Sequence, residues 1–206
     1  MLLRSLSRRR TALPLLCMPL LAACGLLPAP APQPALHDLG AVVVAGQLLP
    51  WQLGTQISAP PWLDDGAVHY RPDGAARQAG AGSQLGATRL AAYRDHRWAA
   101  PPSALLERRL RARIAAPQPG APARWLEIEL TAFEQRFAAT GSSAHIAARA
   151  LLRERRGGAL LASRDFTLEQ PAVSADVAGG VAALAAGADR LAAEVLAWLA
   201  AVGGGS

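Results

Sequence analysis

The segment YRDHRWAAPP, Tyr93 to Pro102, gathers Asp95, His96 and Arg97, side chains that between them supply an acid, a base and an anion clamp. A hydrolase built on Asp95 and His96 needs a nucleophile or water-positioning partner, and the rest of the chain shows none. No serine stands in G-x-S-x-G. Cys24 is the only cysteine besides Cys17, and both lie near the N-terminus. Asp64-Asp65 precedes Gly66, the composition of a polar turn rather than of carboxylates converging on a substrate. His37, His69, His96 and His145 are far apart, with no second ligand at helix or turn spacing and no paired-cysteine motif. We therefore expect no catalytic residues, no metal and no enzymatic activity. Trp98 is expected to pack where a strand meets a helix, with its charged neighbours solvating the junction.

Other classes are excluded on similar grounds. The net charge of +6 would raise nucleic acid as a partner, but Arg4, Arg8, Arg9 and Arg10 stand in the first ten residues, and every basic residue is arginine in an Ala-, Gly- and Pro-rich chain. Nucleic-acid binding is not expected. The glycines of PDGAARQAGAGSQLG, residues 72–86, are not followed by Gly-Lys-Ser/Thr or by a helix pattern, so they read as a loop, not a phosphate cradle.

The N-terminus carries a stronger signal. MLLRSLSRRR is a basic leader, and TALPLLCMPLLA is an apolar run too short to span a bilayer. It ends in Leu21-Ala22-Ala23-Cys24, which resembles the bacterial lipobox, whose cysteine is lipidated and becomes the mature N-terminus. Residues 1–23 are expected to form a signal peptide and Cys24 to carry the lipid, the only prosthetic group anticipated. Gly25 follows rather than Asp, which by resemblance to the enterobacterial sorting rule favours the outer membrane. Residues 24–35, with Pro28, Pro30, Pro32 and Pro34 at alternate positions, form a polyproline-like tether reaching up to about 34 Å from the anchor.

The folded domain is expected over 36–203. HDLGAVVVA and WQLGTQISA read as its first two strands and GAVHYR as a third. Pro101-Pro102-Ser103 opens a helix over 102–114, with Leu106, Leu110 and Ile114 at helical spacing. Three alternating runs follow, around 126–132, 144–152 and 160–168, as in an antiparallel meander with one buried face. The last helix is expected over 174–202 with Ser174 as N-cap, its apolar stripe running from Val177 to Val202 across the sheet. The fold class is thus α+β, a mainly antiparallel sheet of four to six strands covered on one face by two helices.

Two segments resemble one family. APPWLDDGAVHYR, residues 59–71, and YRDHRWAAPPSALLERRL, residues 93–110, are similar to patterns of the ABC-type transport auxiliary lipoproteins, which include the third component of the paraquat-inducible system. Tyr70, Arg71, Arg97, Trp98 and Pro101 carry the resemblance. It implies a non-enzymatic periplasmic lipoprotein working with ABC transporter subunits and an MCE-domain protein in phospholipid traffic, as a possible homo-oligomer. Pro60, Pro61, Trp62 and Leu63 are the expected partner-binding residues, Trp62 being a rigid apolar group beside two prolines, with core packing as the other reading. An assembly factor for lipopolysaccharide export, or an activator of a peptidoglycan synthase, would show the same anchor, tether and domain.

Overall fold

The computed structural model describes residues 33–42, 46–72 and 88–204. Cys24, its leader and nearly all of the tether lie outside them, as do residues 43–45 and most of the glycine-rich segment.

The domain is α+β, with a seven-stranded sheet and two helices among the described residues. The strands are β1 (Ala35–His37), β2 (Gln52–Ser58), β3 (Ala67–Arg71), β4 (Ala91–Trp98), β5 (Ala123–Phe137), β6 (Ser142–Arg153) and β7 (Leu160–Pro171); the helices are α1 (Pro102–Arg111) and α2 (Val177–Gly203). The β5–β6–β7 meander is antiparallel, as the alternation predicts. The sheet as a whole is mixed, which corrects the mainly antiparallel expectation. β2 runs parallel to β5 from Gln52↔Ala123 to Ser58↔Glu129, and β3 runs parallel to the other end of β5 at Tyr70↔Gln135. β5, fifteen residues long, thus pairs with two strands along one edge.

The first strand also differs from expectation. β1 is only Ala35–His37, parallel to β4, and Asp38 begins an irregular stretch in which Gly40 sits at φ +73°, outside any strand conformation. Leu39 from that stretch is nevertheless buried.

A bulge between Leu130 and Ala132 shifts the alternation of β5 by one, so Leu126, Ile128, Leu130, Phe133 and Gln135 share the helix-covered face while Glu134 takes the other. α2 crosses that face and buries Leu184, Ala188, Leu191, Val195, Trp198 and Leu199 against it. Glycine permits the approach. A Cβ at Gly180 would collide with the Gln135 carboxamide, and one at Gly187 would stand 2.8 Å from Ile146 Cδ1. The helix begins at Val177, later than expected, because Asp176 and not Ser174 is the N-cap. Its extended backbone (φ −138°, ψ 179°) stops the helix, its carboxylate accepts from Gly179 N–H at 2.8 Å, and Ser174 donates its hydroxyl to the same oxygen.

Candidate docking surface

The two segments singled out above, 59–71 and 93–110, meet in space. Pro60 O accepts from Leu63 N–H (2.9 Å) and Asp64 N–H (3.1 Å), closing a tight turn. Leu63 points inward with no exposure at all and therefore leaves the set of expected surface residues; a leucine inside a hydrogen-bonded turn is the plug that seats it on the core. Pro61 is exposed, Pro60 half-buried, and Trp62 stays 48% exposed on the rim.

Asp64 follows the plug and performs a task usually done locally. Its carboxylate accepts from Ser103 N–H (3.0 Å) and Ser103 O–H (2.7 Å), capping α1 from 39 residues away. The local chain has no such group to offer, because Pro101 occupies the N-cap position without a hydrogen-bonding side chain. Asp65 accepts from Ala67 N–H (2.8 Å), and its backbone carbonyl accepts from Arg97 Nη2 (2.6 Å). Gly66, at φ +78°, turns its carbonyl to Trp98 N–H (2.8 Å). Trp98 is 3% exposed, packed on Phe133, with an indole N–H that has no partner among the described residues.

Asp95, His96 and Arg97 do not converge. Consecutive residues of a strand face opposite ways, and β4 sends His96 to stack on His37 (centroids 5.2 Å apart, ring nitrogens 2.9 Å), Arg97 to Asp65, and Asp95 to solvent. Burial, and then His96, lower the pKa of His37 below the usual imidazole range. Tyr70 lies against Tyr93 (4.6 Å) and Phe137 (5.8 Å), and Pro101 is exposed.

A band of buried polar groups escaped the sequence reading. Glu134, 1% exposed, accepts from Arg71 Nε (2.6 Å) and Arg136 Nε (2.9 Å), and His145 beside it shares a short hydrogen bond with Glu169. On the other face Gln135 accepts from Tyr93 O–H (2.8 Å) and donates to Ser142 Oγ (2.7 Å) and Asp176 O (3.0 Å), fastening the start of α2 to the sheet. Burial pushes the Tyr93 phenol up to about 12, with Tyr70 and Asp176 adding to the effect. Burial holds His69 below its ordinary value despite Asp65 and Glu134, leaving it neutral at pH 7, with Nδ1 unpartnered among the described residues. Only the bulge brings Glu134 and Gln135 to these places, and a register shift leaves no mark in composition. These groups are spent on one another: the carboxylate is flanked by guanidiniums and the amide is saturated. Among the described residues no three His, Cys, Asp or Glu side chains gather into a metal-holding group, and no helix is long and apolar enough to cross a membrane.

Residues 55–196 match the family described as the ABC-type transport auxiliary lipoprotein component. The chain belongs to this family. The auxiliary lipoprotein's architecture is similar to that of protein XCC0632 from Xanthomonas campestris, titled a member of the DUF330 family (TM-score 0.58, 22% identity, covering 83% of this chain and 94% of that one). It is also similar to an uncharacterized protein with a TM-score of 0.57 at 19% identity, covering 82% of this chain and 99% of that one. At these identities the likeness speaks for the fold. No curated protein matches the chain. The matched span contains the turn, the capped helix and the polar band.

Proposed function

We propose that this auxiliary lipoprotein is a non-enzymatic docking component, anchored through acylated Cys24 in the outer membrane and facing the periplasm. In this reading its domain meets an MCE-domain protein that, with ABC transporter subunits, moves phospholipid between the membranes. The observation that carries the docking role is Trp62, nearly half exposed on a turn whose neighbours are a buried leucine and a helix-capping aspartate. A large aromatic held rigid at the surface loses little conformational entropy on binding, which is the profile of an interface anchor. The proline-rich tether confines the domain near the membrane and raises its effective concentration towards a partner spanning the periplasm.

A photo-crosslinker placed at position 62 in cells that also express an MCE-domain protein and ABC transporter subunits tests this. Capture of the MCE-domain subunit is the expected result; an intact complex with no crosslink from 60, 61, 62 or 64 would place the interface elsewhere. For the anchor, Cys24→Ser should leave unprocessed, unlipidated precursor. Normal outer-membrane fractionation of that variant would overturn it.

A further inference from the structure

The sheet ends on one side at β7, and that edge differs from the others. At the edge of β2, Arg111 from α1 donates Nη2 to Thr55 O (3.1 Å) and Nε to Thr55 Oγ1 (2.8 Å). β1 offers only three residues. β7 offers twelve.

Its free backbone groups follow from the ladder. Ala172 N–H donates to Ser142 O, and the pairing continues without a shift to Leu152↔Ala162. Residues facing β6 alternate with residues facing away, so Leu161, Ser163, Asp165, Thr167 and Glu169 turn their N–H and C=O groups outward. Among the described residues only the Arg190 guanidinium, 3.5 Å from Glu169 O, reaches that row. Between Leu161 and Glu169 there is no lysine, no proline and no bulge, and the charges present, Arg164, Asp165 and Glu169, are of both signs, so a partner strand in the right register can meet them. Leu160 and Leu161 stand 52% and 43% exposed at its beginning.

We propose that a second copy of this chain adds its β7 antiparallel to this edge, about a two-fold axis at Phe166. Self-complementarity points to a second copy, and like-charge avoidance together with the longest overlap of outward groups fixes the register, since axes at Ser163 or Leu168 would close only about six backbone bonds. In a symmetric antiparallel pair the residue on the axis faces itself, and its neighbours face one another in reverse order. An axis at Arg164 opposes two arginines, one at Asp165 opposes two aspartates, and one at Thr167 sets Asp165 against Glu169. An axis at Phe166 instead sets Asp165 opposite Thr167 and Ser163 opposite Glu169, each carboxylate facing a hydroxyl, with Arg164 opposite Leu168. No like charges meet. The outward row would then close about ten backbone hydrogen bonds. The pairing leaves the Trp62 surface untouched and stands independently of the docking reading.

Mixed-disulfide formation in the full chain, kept in detergent, tests this. Opposed residues in such a pair have Cα atoms about 5.5 Å apart, within disulfide reach. Mixing Asp165→Cys protein with Thr167→Cys protein under oxidation should give a heterodisulfide that neither variant forms alone. Thr167→Pro removes an outward N–H without touching the β6 ladder, and Thr167→Glu sets a second carboxylate opposite Asp165 of the other copy. The wild type should sediment as a dimer and both variants as monomers that still unfold cooperatively. If the proline variant fails to fold, the glutamate variant decides. A monomeric wild type, a dimer that survives Thr167→Glu, a disulfide in Asp165→Cys alone, or a different protein occupying the edge would each overturn the proposal.

Discussion

The two helices reach the same sheet by opposite means. α1 has ten residues, four of them charged, and directional bonds to distant parts of the chain hold it. Asp64 caps its start, and Arg109, 3% exposed, donates to Gly40 O (3.1 Å), Ala41 O (3.2 Å) and Asp189 Oδ1 of α2 (3.1 Å). α2 has twenty-seven residues, carries its own cap and is held by apolar area, with glycines where it comes closest. A short charged helix buries too little surface to fix its own position. Its placement is written in loops elsewhere in the sequence, whereas that of α2 is written in the helix itself.

Substitutions can break this contrast from either side. The largest loss is expected at Leu184, fully buried on the sheet-facing side of α2, where Leu184→Ala should cost about 2 to 5 kcal/mol in denaturant unfolding. Its effect should be global, because α2 is the roof of the core. Asp189→Ala removes the carboxylate shared by Arg109 and Arg113 and should cost about 1 to 2 kcal/mol, the site being partly solvated. Hydrogen exchange should then speed up in α1 more than in α2; equal change in both would mean that area, not this bond, positions α1. Asp64→Ala should cost about 1 kcal/mol and loosen the first turn of α1 while leaving α2, which has its own cap, unchanged. Identical melting to wild type would deny the long-range cap.

The smallest effect is expected at Asp176 and should depend on pH. The Gly179 backbone bond first, and the Ser174 hydroxyl next, hold its carboxyl below the usual carboxylate range. A depressed folded-state pKa adds stability above the unfolded value and loses it as pH falls through the folded one. The gap between wild type and Asp176→Ala should therefore be full at neutral pH and close in acid. A gap constant down to strongly acidic pH would show that the charge contributes nothing.

The same contrast explains what the sequence made legible. The stripe from Val177 to Val202 and the alternations of β6, β7 and, as far as Leu130, β5 are local periodicities, and the structure follows them. Trp98 at the strand-to-helix junction was also readable, since an aromatic before a proline pair has few other places to go. The parallel partners of β5 were not, because parallel strands are joined by long crossovers and no local pattern names the partner. Nor were the burial of Arg109 or the cap from Asp64, since each depends on where a remote loop comes to rest. Leu63 looked like surface beside Trp62, and only the turn closed at Pro60 O separates their directions. In the candidate docking surface, residue types were visible while the choice between inward and outward was not.

The mixed sheet also bears on the order in which the chain can fold. The β5–β6–β7 meander joins neighbours in sequence and has only short loops to close. β1 must wait for β4, and β2 for β5, whose partner residues begin at Ala123. On a chain made from its N-terminus onward, β2 lacks its strand partner until most of the chain is present, and a nascent intermediate exposes the strand until then.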